Sequence, residues 1–590
     1  FHVYGAEGIT PSDPLFFTAS AQSFNHVCAD CHSTRVERRY DVATDRFDTR
    51  WAELSVGCEA CHGPGAEHVR SARTPSSPRS IAALPVRLKS AEPWTRSATG
   101  SPTPRAQDGT EVEVCAPCHS RRKPLKEGFV ASDPFLDSFE PELLLAGRYH
   151  ADGQVEGEVY EWASFLQSRM FHAGVRCSDC HDPHAGKLYA SGNALCVRCH
   201  ESGRFGVETH SHHTGTQAPR CIDCHMPPAT FMQIDERRDH SIRIPRPDRS
   251  VELGTPNACT TCHAKRSAAW ARDAVAAWFP DSHERPQFGA ALASDRKGAL
   301  DAPRRLRALL DDRAVPAIAR ATALARLGTY PAEKTGPALR AALASPESLV
   351  VYGAAVGAAE LPLRQRAPLL LPVLEHQARA VRIVAAKALA GVPLAELPER
   401  ARAALERAFT EVEQSFDVGA SRAETHVERS AFELARGKLE AAEVSLRTAL
   451  RLQPCLAEAH LNLAELERQR GDAAAAERAL RAALACNPKS AAAYHALGLW
   501  QVRARRTDAA LVSLRKAAEL APTDSRISYV LAVALAGNGG RDEAIRVLDA
   551  ALTHRANDLE SLRALLTFLR DAGENERAAE VRQRLDALEH

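Results

Sequence analysis

The sequence predicts a mainly α protein, in which a loop-rich N-terminal region is followed by an α-solenoid. Three observations carry this. Fourteen of the sixteen cysteines fall between residues 28 and 262. Beyond about residue 266 the composition turns to Ala, Leu, Arg and Glu with helical periodicity. From residue 423 onward a 34-residue period takes over.

The fourteen cysteines form seven Cys-x-x-Cys-His motifs: CADCH (28–32), CEACH (58–62), CAPCH (115–119), CSDCH (177–181), CVRCH (196–200), CIDCH (221–225) and CTTCH (259–263). This is the attachment signature of c-type haem. Cys28, Cys31, Cys58, Cys61, Cys115, Cys118, Cys177, Cys180, Cys196, Cys199, Cys221, Cys224, Cys259 and Cys262 are expected to form thioethers to seven haems c. His32, His62, His119, His181, His200, His225 and His263 are the expected proximal iron ligands. A zinc site pairs Cys-x-x-Cys knuckles without demanding His after every second Cys. A redox dithiol would occur once, at a helix start. Both fit less well than haem.

Fewer than forty residues per motif leave little chain for an ordinary core. The porphyrins are therefore expected to supply most of the apolar interior, wrapped by short helices and long loops with little sheet. The stretch 71–110, rich in Ser, Pro, Thr and Arg, reads as an exposed insertion or irregular loop.

Of the 24 histidines, ten lie in this region outside the motifs. Such enrichment is what two-sided imidazole ligation requires. His2, His68, His172, His184, His210, His213 and His240 are the expected distal ligands, reached by short tethers that swing onto a neighbouring haem. His240, at the end of CIDCHMPPATFMQIDERRDH (221–240), is expected to serve a haem other than that of its own motif. With three methionines, Met170, Met226 and Met232, His/Met ligation is at most a minority.

The helical part divides in two. Residues 300–415 contain imperfect helix pairs such as VPAIARATALARL (315–327) and VRIVAAKALAGV (381–392), similar to HEAT-type repeats. In 423–590, Gly437, Gly471, Arg505, Gly539 and Gly573 keep a 34-residue step, as do Ala442, Ala476, Ala510, Ala544 and Ala578. That is the tetratricopeptide pattern of stacked helix pairs. The expected units are 1–265, 266–420 and 421–590. The solenoid is expected to dock redox partner proteins, with a homo-oligomer or a plain spacer as the alternatives. Cys455 and Cys486, outside the haem motifs, are expected to be buried small hydrophobes rather than a disulfide.

The formal net charge of +1, from 75 basic and 74 acidic side chains, gives no case for nucleic acid. No run of eighteen apolar residues is present, so no membrane span is expected. Covalent haem attachment points to a periplasmic or extracellular compartment. The chain opens Phe1-His2-Val3-Tyr4, and an upstream motif removed from this sequence is one expectation.

CHGPGAEH (61–68), SFLQSRMFHAGVRCSDCHDPHAGKLYASGNALCVRCH (164–200), CIDCHMP (221–227), RRDHSIRIPRPD (237–248) and TPNACTTCH (255–263) resemble bacterial multihaem cytochromes that carry a C-terminal tetratricopeptide region. Their haem part is similar to the octahaem and pentahaem cytochromes that include hydroxylamine oxidoreductase and the ammonia-forming nitrite reductases. The resemblance implies closely packed haems passing electrons. It also implies an alternative, an oxidoreductase acting on nitrite, hydroxylamine or tetrathionate at one open haem. Counted back from Cys259 as the last of eight motifs, the Cys115 motif takes the catalytic position of those relatives. The nitrite reductases commonly place Lys there, whereas this chain has His119. Arg121, Arg122, Tyr149, His150 and Tyr160 lie near that motif. The catalytic residues stay unknown.

Overall fold

The computed structural model describes residues 16, 22–73, 84–88, 94–106, 109–215, 218–231, 235–281 and 287–589. Among them are thirty-two α-helices and eight strands of two to four residues. The protein is mainly α, with a loop-rich N-terminal part and a helical solenoid.

Most of the cysteine motifs occupy about one helical turn, as in Ala29–His32, Cys58–His62, Cys221–His225 and Ala258–Cys262. A turn of helix sets positions i, i+3 and i+4 on one face, so both thiols and the imidazole of a motif project together. The strands form four two-stranded antiparallel sheets. Two of these place histidines. His181 pairs with Leu188 across a turn that carries His184. Pro228–Phe231 pairs with Asp235–Arg238 and delivers His240.

The motif segments have few buried apolar side chains, as expected from chain length. Residues 112–166 depart from that expectation. Val112, Leu125, Phe135, Phe139, Tyr149 and Trp162 are buried together. They belong to the same core as Leu292, Ile318, Leu324 and Val351 of the solenoid. Segment 112–166 has no motif after His119, so its 47 positions (112 to 166 less the last eight of the motif helix) are free to pack on a neighbour.

Polar contacts secure this junction. Arg296 donates to the Tyr149 carbonyl at 2.8 Å, and Tyr352 donates its hydroxyl to Glu140 at 3.1 Å. The Leu144 amide donates to Thr322 at 3.1 Å. The first solenoid helices pack closely because of small residues. A Cβ on Gly353 would lie 2.3 Å from the Ala321 carbonyl oxygen, so only glycine lets Ser348–Ala359 approach Ala317–Leu327 this far.

From Ala423 the chain forms five antiparallel helix pairs, ending with Leu559–Asp571 and Asn575–Glu589. The turn positions Gly437, Gly471, Gly539 and Gly573 have φ between 72° and 82°. Arg505, at the equivalent place, adopts φ 58°, a conformation that costs a residue with a Cβ. The last pairs return to the first solenoid helices. The Asn557 amide donates to the Gly298 carbonyl at 3.0 Å, and Lys334 donates to the Ala587 carbonyl at 3.4 Å.

Cys455 and Cys486 form a disulfide, with Cα atoms 5.1 Å apart. This corrects the expectation of two unpaired buried cysteines. They are 31 residues apart, three short of the repeat. Stacked repeats set equivalent points about 8–10 Å apart. The offset brings the turn after Leu439–Leu452 against the end of Ala473–Cys486 and closes that gap.

His26 makes a further link between the two parts, through a hydrogen bond between its Nε2 and the Ser421 hydroxyl. Burial, with the Arg38 and Arg422 guanidiniums nearby, lowers the His26 pKa to about 4 against an opposing Asp30. Between about pH 6.5 and 4 the unfolded chain therefore binds a proton that the folded chain refuses. The contribution is complete above pH 6.5 and is lost as pH falls to about 4. Its size is on the order of 1–3 kcal/mol, discounted for partial exposure. Thermal midpoints of the unmodified protein and of His26→Asn should diverge across that window. Parallel pH profiles would reject the assignment.

Candidate haem sites

Four imidazole pairs stand opposite one another across a gap, with ring planes within 36° of parallel. His62 faces His184 with ring centres 6.2 Å apart and planes at 15°. His181 faces His240 at 6.4 Å and 25°. His225 faces His210 at 6.2 Å and 13°. His263 faces His213 at 6.0 Å and 36°. These distances are too long for direct stacking contact and fit a metal between the rings. Two nitrogen–iron bonds of about 2 Å, plus about 1.1 Å from each nitrogen to its ring centre, give about 6.2 Å.

Hydrogen bonds aim the rings. Nδ1 of His62 meets the Val86 carbonyl at 3.0 Å, and Nδ1 of His225 meets that of Arg243 at 2.8 Å. Nδ1 of His240 meets the Arg238 carbonyl at 2.8 Å, and Nδ1 of His213 that of Ser211 at 2.6 Å. Each backbone oxygen accepts the Nδ1 proton and leaves Nε2 as the free donor for iron. His119 differs, because its Nδ1 lies 3.1 Å from Glu161 Oε2. The carboxylate raises the pKa of His119 through that hydrogen bond. Burial raises the pKa of Glu161, but the His119 hydrogen bond, its own backbone amide and the charges of His119 and His240 together lower it.

The last motif opens on a pocket lined by Cys259, Cys262, His263, His213, Trp270 and Trp278. Two thiols, two opposed imidazoles and indole faces fit a covalently held porphyrin. Among the described residues no three His, Cys, Asp or Glu side chains converge as a bare metal-ion cage.

The other expected distal residues are placed as follows. His68 is buried at Nδ1, with no hydrogen-bond partner for that atom. His172 rests edge-on against Phe171, with Arg320 and Glu347 of the solenoid nearby. Their rings are not brought opposite a motif histidine at the spacing above. His2 lies outside the described residues. His32, His119 and His200 have no facing imidazole at that spacing among the described residues. His212 is stacked on Trp278 at 4.4 Å, which is packing. The remaining thiols, Cys28, Cys58 and the others, stay unpaired in disulfide terms.

The motifs also have an order in space that sequence order conceals. The Cys31 thiol donates to the Cys118 carbonyl and the Cys118 thiol to the Asp30 carbonyl, each at 3.9 Å, and the Cys115 and Cys177 thiols are neighbours, as are those of Cys196 and Cys221. Cys61 lies near Cys115 and Cys118. Burial pushes Cys180 and Cys224 up to about 11, with Cys199 adding to the first and Cys259 to the second. The third motif therefore touches the first, the second and the fourth. From the fourth the line runs through the fifth and sixth to the seventh.

Known protein families match parts of both the motif region and the solenoid. The family model for cytochrome c554 and c-prime matches residues 16–63, and that for a doubled CXXCH motif matches residues 170–205. A tetratricopeptide model matches residues 501–567. The chain is a multihaem c-type cytochrome with tetratricopeptide repeats. Its cysteine motifs hold covalently bound haem c, and its two parts support electron transfer and protein docking. No curated protein matches the cytochrome. Among solved structures, MamA is 19% identical with a TM-score of 0.25, over 27% of this chain and 94% of its own. MamA from Desulfovibrio magneticus RS-1 is 22% identical with a TM-score of 0.25, over 28% and 94%. YrrB, described as a TPR protein with an unusual peptide-binding site, is 18% identical with a TM-score of 0.24, over 30% and 91%. Among the described residues, no helix of the cytochrome is long and apolar enough to cross a membrane.

Proposed function

We propose that the cytochrome carries seven haems c and passes electrons among them in a periplasmic or extracellular compartment. The observation that carries this reading is the set of four imidazole pairs at 6.0–6.4 Å. Haem supplies one-electron redox chemistry, and two imidazoles keep the iron six-coordinate and low in potential. His62 with His184, His181 with His240, His225 with His210 and His263 with His213 are the ligand pairs. The chain's own part is to hold the rings and to line the motifs up in the order 1, 3, 4, 5, 6, 7, with motif 2 branching at motif 3. His2, His68 and His172 remain the candidates for the other centres. The Cys455–Cys486 disulfide supports an oxidising compartment.

The solenoid docks a redox partner. Its HEAT-like section is committed to the cytochrome part through the shared core. The docking face therefore lies on the tetratricopeptide section.

A second reading is favoured by His119. It has no facing imidazole at ligand spacing among the described residues, and its ring is bonded to a carboxylate. A haem open on one side there would act on a small nitrogen or sulfur compound. Haem content and EPR of the purified protein test both readings. Seven haems per chain with low-spin signals throughout support the electron carrier. A high-spin signal with turnover of nitrite, hydroxylamine or tetrathionate supports the enzyme. Mostly high-spin iron would sink the four ligand pairs.

A further inference from the structure

The proximal rings with an Nδ1 bond fall into two kinds. His62 and His225 meet backbone carbonyls, and so do the facing rings His213 and His240. His119 instead meets the Glu161 carboxylate at 3.1 Å. Glu161 opens the helix Glu161–Phe165, whose Trp162, Ala163, Ser164 and Phe165 are all buried. Its backbone is therefore fixed by the core, and the carboxylate is delivered to the ring rather than found by a mobile side chain.

We infer that Glu161 is a positioning residue that sets the potential of the haem on the third motif through the His119 ring. A carbonyl accepts the Nδ1 proton without a formal charge. A carboxylate draws that proton more strongly and gives the ring imidazolate character, which makes Nε2 a stronger donor. A stronger donor favours the ferric over the ferrous state, so one electron is harder to add at this centre. The ring's hydrogen bond is one of the levers by which a protein tunes haem iron. The effect falls on the centre where the first, second and fourth motifs meet. A centre of lower potential there keeps electrons on either side of the branch instead of at it. The inference rests on a haem being bound to Cys115 and Cys118.

The test is Glu161→Gln in the full holoprotein, followed by haem-resolved potentiometric titration with optical and EPR detection. Gln keeps an oxygen to accept the Nδ1 proton and removes the charge. One couple is expected to move upward by a tenfold change or more in its reduced-to-oxidised ratio at fixed poise, about 59 mV for one electron. The other couples should stay in place. Glu161→Asp, with the charge retained on a shorter arm, should return part of the shift. A titration that superimposes on the unmodified protein, or one in which every couple moves together, overturns the inference. If Glu161→Gln fails to assemble, near-infrared magnetic circular dichroism of the unmodified ferric protein serves instead. One haem should show its charge-transfer band at higher energy than the rest, and a single common band overturns the inference. The mass of the peptide bearing Cys115 and Cys118 separates the failures. A peptide without haem removes the parent reading, and a haem peptide with an unshifted couple removes only the role of Glu161.

Discussion

Replacing Cys115 and Cys118 together by serine is expected to remove one haem of seven and to divide the remaining six into two groups. The third motif is the junction of the array. The Cys118 thiol lies at Cys31, the Cys115 thiol lies at Cys177, and Cys61 is near both. No other motif of the first three has a thiol neighbour in the last four among the described residues. Without the centre at His119, electrons entering at motif 1 lose their thiol-adjacent step to motif 4, and motif 2 keeps only the approach through His184 on the motif 4 hairpin, which opposes His62. Haem content measured as the pyridine complex should fall from seven to six per chain. Stopped-flow reduction should change from one connected course to two phases, one for each group. The helix Thr110–His119 also supplies buried Val112 and Ala116 to the common core, but serine replaces neither. The fold should therefore survive the change. Six haems reduced together at the unmodified rate would show that thiol adjacency is not the electron path.

The junction marks the limit of what the sequence discloses. The Cys-x-x-Cys-His spacing is local, because one helical turn fixes it, and so each motif is legible in five residues. The 34-residue step of Gly437, Gly471, Gly539 and Gly573 is legible for a similar reason, since each repeat depends only on its neighbours. His184, His210, His213 and His240 can be selected by density, but not assigned. His240 is 15 residues past His225 and yet faces His181, because the hairpin 228–238 folds the chain back. Glu161 is 42 residues from His119, and nothing in its local sequence distinguishes it from a solvated carboxylate. The packing of 112–166 onto the solenoid is hidden for the same reason. Its apolar residues read as a small local core, and only tertiary structure shows them joined to Ile318, Leu324 and Val351. The Cys455–Cys486 bridge depends on how two repeats stack, which periodicity alone does not set.

Removing that bridge, as Cys455→Ser with Cys486→Ala, is expected to cost about 3–4 kcal/mol, the loop-entropy value for closing a loop of about 31 residues. The loss should be local. In a stacked array each repeat is stabilised by its neighbours, so the weakened contact is the one between the first and second tetratricopeptide pairs. The far end has anchors of its own in the Asn557 and Lys334 contacts to residues 298 and 587. The near end is held by the Lys123–Glu428 ion pair and by Arg451, which donates to the Val42 carbonyl at 2.7 Å. Hydrogen exchange should therefore rise most in 439–503, between the two anchored ends, and little in 541–589. The haem absorption should be unchanged, since no motif lies within the affected repeats. Mild reductant should reproduce the effect in the unmodified protein. Exchange that rises evenly along the solenoid would mean that the array unfolds as one unit and the bridge is not a local staple. Exchange unaffected by both treatments would mean that the two cysteines are not joined in solution, and the support they lend to an oxidising compartment would go with it.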